Sequence, residues 1–367
     1  MKAFGKVLGL FFLGLLLLVV ALGFALTHLF DPNDYKDEIR QIARDKANLE
    51  LDLKGDIGWS LFPWLGLELH DTSIASAATP TKPFADLQML GLSVRVLPLL
   101  RKDVQMSAIR VEGLSLDLVR DKQGKGNWEN IGKPAQPQAP AAPSATPPAA
   151  DGKGAQAQAP EQAPQNDSPR TPIKLDIDSL NVNNARVTYT DEASGKQYNV
   201  EGIELSTGAI REGSSIPLKL NAYLGTNQPV VRVKTELTGN LRFDTALRRY
   251  QLEDARLSGE ASGEPLQGKT ATFSAQGQLL LDQSAQIAEW NGLKLSVNQL
   301  RALGELKARE LDKDTKFSGG LSIAPMNLRE FLAGIGVTLP AMADANTLGK
   351  FELNTRLAGS RNSLNLE

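Results

Sequence analysis

The chain has 367 residues, 41% hydrophobic and 22% charged, which is ample for a core, and its net charge of −2 offers no basic field for nucleic acid. It has no cysteine and only two histidines, which excludes disulfides, thiolate catalysis and Cys-ligated zinc and leaves little for a histidine metal site or a Ser-His-Asp triad. His28 ends an apolar stretch and His70 lies in a strand-like one, so both read as structural or solvated.

From Val7 to Leu26 run twenty consecutive uncharged residues, enough for a helix spanning roughly 30 Å of hydrocarbon. The stretch is longer than the apolar part of a secretory signal, and no small-x-small cleavage site precedes Asp31. Residues 1–30 are therefore expected to be an uncleaved anchor. Lys2 and Lys6 stand on one side of it and Lys36, Arg40 and Arg44 on the other, so charge does not fix orientation; a cytoplasmic N-terminus with the bulk exported is the expectation.

Asp31-Pro32-Asn33-Asp34 reads as a helix start, with Asp31 as N-cap, Pro32 at the first helical position and acids in the first turn. The helix should reach about Leu49, with Tyr35, Ile39, Ile42 and Ala43 near one face, packed on the domain or laid in headgroups. The period then changes to two. Leu49, Leu51 and Leu53 alternate with polar residues, a turn follows at Gly55–Gly58, and Trp59, Leu61, Phe62, Trp64, Leu65, Leu67 and Leu69 continue as strands. The Trp residues suit either an interfacial belt or a core corner.

Alternation returns at Leu90–Val96 and again at Ile109 and Val111; Gly113 then breaks the phase as a turn or bulge, and Leu114, Leu116 and Leu118 resume it. The same grammar recurs at Leu175–Asp191, with Asn183-Asn184 read as the turn, and faintly at Leu67–Ser76. Such degenerate repetition predicts stacked β units. Asn127 and Trp128, after Gly124-Lys125-Gly126, should close a hairpin, the Asn bonding the turn and the Trp covering a sheet end. Pro134–Pro172 holds half of the twenty prolines and almost no large apolar side chain, so residues 133–172 are expected to be a disordered linker or a polyproline-type recognition segment. Beyond it strands continue through Leu205, Leu220, Leu237, Leu257, Leu279 and Leu295, interrupted by one helix at about Pro325–Gly334. The alternation persists to the last residue, as in a chain stopping inside a sheet.

The anchor, DPNDYKDEI, LELDLKGDIGWSLFPWLGLELHDTSIA, the GNWENI segment at Gly126–Ile131 and SIAPMNLREFLAGIGVTLP at Ser322–Pro340 together resemble the AsmA family of bacterial envelope proteins. The resemblance implies an inner-membrane anchor, a periplasmic body of long curved β-sheet with a hydrophobic groove, and a role in outer-membrane biogenesis. It also implies likeness to bridge-type lipid conduits with a chorein-like N-terminal region. The Pro-rich insertion departs from the pattern, as does the missing C-terminal part of a whole family member.

The expected fold is accordingly mainly β: a transmembrane helix (1–30), a chorein-like helix and sheet start (31–132), the linker (133–172), and the continuation of an elongated, curved antiparallel β-sheet with few short helices (173–367). An uncovered apolar face on such a sheet would exceed the patch size usual on a soluble monomer and needs a lipid or a lid. On the order of 15–20 strands would give a trough roughly 70–95 Å long. Candidate lining residues are Leu67, Leu69, Ile109, Val111, Leu114, Leu116, Leu118, Ile177, Leu180, Val182, Val187, Tyr189, Ile203 and Leu205, although alternating aliphatics also make ordinary cores. The expected partners are membrane lipids, phospholipid first, with the inner membrane and envelope proteins; no nucleic acid, metal or cofactor is expected, and no enzymatic constellation assembles. The alternative function is a non-catalytic tether or assembly factor for envelope proteins.

Overall fold

The computed structural model describes residues 31–60, 65–95, 106–129, 131–132, 176–312, 314–340, 344, 346–360 and 363–366. The expected anchor and the whole of the expected linker lie outside the described residues, as does Trp64. Among the described residues no helix is long and apolar enough to cross a membrane.

The start is as expected in kind. The Asp31 carboxylate accepts from the Asn33 N–H at 2.9 Å, Pro32–Tyr35 forms a 3₁₀ turn, and helix α1 runs over Lys36–Ala47. Asn48, left-handed at φ 55°, ends it before Leu49, which already belongs to a strand. Asn33 locks this turn to the sheet: its amide accepts from Ile57 N–H at 2.9 Å and donates to Ile57 C=O at 3.2 Å. Helix α1 packs beside β1 (Leu49–Leu53), tied by Arg44 to Glu50, while Ile42 stays 60% exposed.

Seventeen strands form one sheet. β1 and β2 (Ile57–Ser60) lie end to end along β3 (Leu65–Ser76), which pairs with β4 (Pro83–Val94). β5 (Met106–Glu112) and β6 (Ser115–Arg120) share the next position, both antiparallel to β4 and both parallel to β8 (Ser179–Asp191). From there the ladder is an antiparallel meander. β9 (Lys196–Thr207) and β11 (Ile216–Asn227) lead to β12 (Val230–Asp244), β13 (Arg249–Gly263) and β14 (Thr270–Asp282). It ends with β15 (Ile287–Val297), β16 (Leu300–Arg309), β17 (Lys316–Met326), β18 (Phe351–Ser360) and β19 (Ser363–Leu366). A separate two-stranded ladder joins β7 (Asp176–Ile177) to β10 (Ile210–Arg211).

The strands' turns make two long rims. The first carries 192–195, 228–229, 264–269 and 298–299; the second carries 212–215, 245–248, 283–286, 310–312 and 314–315.

Three expectations need correction. The sheet is mixed, because β8 runs parallel to β5 and β6. A parallel pair needs a crossover of a dozen or more residues, and the stretch between β6 and β7 supplies that length. Second, the break at Asn183-Asn184 is a bulge inside β8 rather than a turn. Asp71 in β3 and Asn184 in β8 sit at φ 44° and 51° within single strands, and Gly113 (φ 62°) joins two strands lying in line. A residue inserted in the left-handed region restores the alternation after it and bends the strand. Third, Pro325 lies at the end of β17. Helix α2 spans Leu328–Gly334 and is capped by Asn327, whose side chain accepts from Glu330 N–H at 3.2 Å.

Candidate functional site

Registers place side chains on the two faces of the sheet with little ambiguity. Along β12, Val231, Val233, Leu237 and Leu241 share one face, while Arg232, Lys234, Glu236 and Arg242 share the other. The polar face is laced across strands by Lys219–Glu236 at 3.1 Å and Arg242–Glu253 at 3.9 Å. Such exposed pairs each contribute little, but they keep that face solvated.

The apolar face carries a row that crosses the sheet. Residue by residue in the registers, Ile57, Leu69, Leu90, Val111, Val182, Leu205, Leu220, Leu237, Leu257, Ala275, Leu295, Ala302, Ile323 and Leu353 stand side by side, one from each of fourteen strands. Every member is aliphatic. At about 4.8 Å per strand the row is roughly 60 Å long. Ile57, Ala275 and Ala302 are buried and the other members are half-buried. Among the described elements the helices sit elsewhere, α1 against β1 and α2 against the 264–269 turn, where Lys269 Nζ donates to Ala333 C=O.

Twelve of the fourteen residues singled out by sequence lie on this face. Leu69, Val111, Val182 and Leu205 belong to the long row; Leu67, Ile109 and Leu180 flank it on the second-rim side. Leu116, Leu118, Val187, Tyr189 and Ile203 flank it on the first-rim side. The other two do not join them. Leu114 falls in the break between β5 and β6, where its carbonyl accepts from Arg186 N–H at 2.7 Å. Ile177, 6% exposed, pairs with Ile210 in the small ladder.

Sequence reasoning left out the larger part of the face. A hollow of about 670 Å³ lies toward the second rim of the C-terminal strands, walled by Leu241, Leu252, Leu279, Trp290, Leu306 and Phe317. The alternation that identified Leu116 and Leu118 is equally present here and could have found these residues.

Aromatic rings edge the first rim nearer the N-terminus. The ring of Trp128 lies 5.9 Å from that of Tyr189, which lies 6.1 Å from that of Tyr198. Asn127 fixes this corner as expected: its amide accepts from Val119 N–H at 3.0 Å and donates to Asp117 C=O at 2.8 Å. A Cβ at Gly126 would stand 2.7 Å from the Trp128 ring, so a glycine is needed there for the indole to lie down.

Charge gathers outside the face. Arg211 donates to Asp176 at 2.8 Å and Asp178 at 3.0 Å, and Arg95 donates to Asp178 at 3.0 Å, fastening the small ladder to its surroundings. In the turns, the Ser194 hydroxyl holds the Asp191 carboxyl below its ordinary value, and Thr245 does the same to Glu212. Both carboxylates serve their turns. Among the described residues no group of three or more His, Cys, Asp or Glu could hold a metal ion.

The arrangement can shelter alkyl chains over a long path. Neither a curated protein nor a solved structure matches the chain. The sequence profile described as the AsmA family matches residues 1–367, the whole length, and the chain therefore belongs to the AsmA family.

Proposed function

We propose that this protein is a non-catalytic lipid carrier, anchored in the bacterial inner membrane with its bulk in the periplasm, that takes phospholipid acyl chains along the trough toward the outer membrane and so serves outer-membrane biogenesis. The observation that carries the reading is the fourteen-strand aliphatic row left half-exposed on a sheet whose other face is charged. Contiguous apolar surface of that extent on a soluble monomer marks a binding surface. Burial there is worth about 0.8 kcal/mol per CH₂ and has no direction, so a chain can slide without meeting a deep well. Family membership is consistent with this role.

The test is native mass spectrometry with lipid extraction on the full chain in mild detergent, beside Leu237→Glu in the row and Thr238→Glu on the polar face. Wild type and Thr238→Glu should carry phospholipid, and Leu237→Glu should remain folded by circular dichroism yet lose it. A lipid-free wild type would end the reading.

A further inference from the structure

The apolar face is not equally open along its length. On β11, Ile216 at the second-rim end is 1% exposed, whereas Leu224 at the first-rim end is 41% exposed. On β9, Tyr198, which stands opposite Thr226 and nearer still to the first rim, is 45% exposed. On β14 the order is reversed: Ala271 at the first-rim end is 7% exposed and Leu281 at the second-rim end 37%. Tyr250, Leu306 and Phe317 are likewise exposed at the second rim. Among the described residues, the six large apolar side chains exposed on this face fall on one diagonal.

Two coverings stand at the opposite corners. The β7–β10 ladder, with buried Ile177, occupies the second-rim corner near β5. At the first rim, the 264–269 turn and the segment after α2 come together; a Cβ on Gly336 would stand 2.6 Å from Leu266 C=O. The bulges follow the same division. Asn184 and Gly202 bend their strands on the first-rim side of the aliphatic row, whereas Asp254 and Gly292 do so on the second-rim side. Bulges sharpen local twist, so the two parts of the sheet turn their open flanks in opposite directions.

Resting on the lipid-carrier reading, we propose that acyl chains cross the sheet obliquely, running along the first rim at β9–β11 and along the second rim at β13–β17, with the hollow under Trp290 and Phe317 as the site that holds them after the crossing. The occupant is an alkyl chain because the hollow's exposed lining is almost entirely carbon. A peptide strand laid there would leave its N–H and C=O groups without partners, whereas an alkyl chain has none to satisfy. The hollow's size lies within the range of small-molecule sites, and it continues directly from the aliphatic row through Leu257 and Leu252 on β13.

The test places a photo-crosslinking benzoylphenylalanine in the full chain in native membranes. On the diagonal it replaces Tyr198 or Phe317; off it, on the same face, it replaces Phe273 or Leu218. Three of the four exchanges are aromatic for aromatic, and resistance to trypsin confirms folding. Lipid adducts should be several-fold more abundant at Tyr198 and Phe317 than at Phe273 and Leu218. Equal yields at all four positions would overturn the oblique path while leaving the carrier intact. Adducts to polypeptide at Phe317 would overturn the occupant, and no lipid adduct at any position would remove the carrier reading as well.

Discussion

The two parts of the sheet reach one apolar face by different means. From β11 to β19 each strand pairs with the one before it and the turns simply alternate between rims. From β1 to β9 the chain shares ladder positions, crosses over to a parallel strand and needs the Arg95–Asp178–Arg211 network to fasten the small ladder. The meander is local and repetitive, whereas the first part is bound by contacts between distant residues. The same trough therefore sits on one region that can be lengthened readily and another that is fixed by its topology.

The strand that joins the parts offers the strongest test. Ile216 opens β11 and is almost wholly buried, so Ile216→Ala should cost about 2–5 kcal/mol. Urea unfolding followed by tryptophan fluorescence should show whether Trp128 and Trp290 still report one transition. Two separated transitions would mean that the regions fold independently once the joint is loosened. A smaller effect, confined to the meander, is expected at Gly292, the φ 61° bulge of β15 with nothing within 4 Å of an added Cβ. With space available, Gly292→Val should lose only the backbone term of about 1–2 kcal/mol, and amide exchange should rise in β14–β16 without changing in β3–β5. Equal loosening of both regions would refute their separation.

The smallest effect belongs to the other end. The backbone N–H of Asn33, then its side chain, hold the Asp31 carboxyl below its ordinary value. Folding lowers this pKa, so the contribution of the cap is full above the unfolded value of about 3.9 and is lost as pH falls through the lower folded value. Protection factors at Asn33–Tyr35 should fall on that descent, and in Asp31→Ala they should be low already at neutral pH and insensitive to it.

The strand period, the capped N-terminal turn and the role of Asn127 were legible because each depends on residues close in sequence. Gly113 left turn and bulge open and Asn184 reads as a turn, because these residue types serve both; only the register across the neighbouring strand tells an inserted residue from a reversal. The parallel pairing of β5 and β6 with β8 left no local trace, since alternation has the same period in either direction. Pro325 was read as helical because proline suits a first turn, yet it suits a strand's end equally well, and Asn327 carried the better capping signal. Ile177 stands three residues before Leu180, out of the two-residue period of β8, and belongs to the small ladder on the far side of Asp178.

The meander's alternating turns impose a rule of parity. Because successive turns fall on opposite rims, one added strand would send every later turn to the other rim and exchange the covered and open flanks. An added hairpin would preserve them and lengthen the path by roughly 10 Å, two strand spacings. The reach of such a sheet can thus grow or shrink only in steps of two strands, like a ruler marked in whole hairpins.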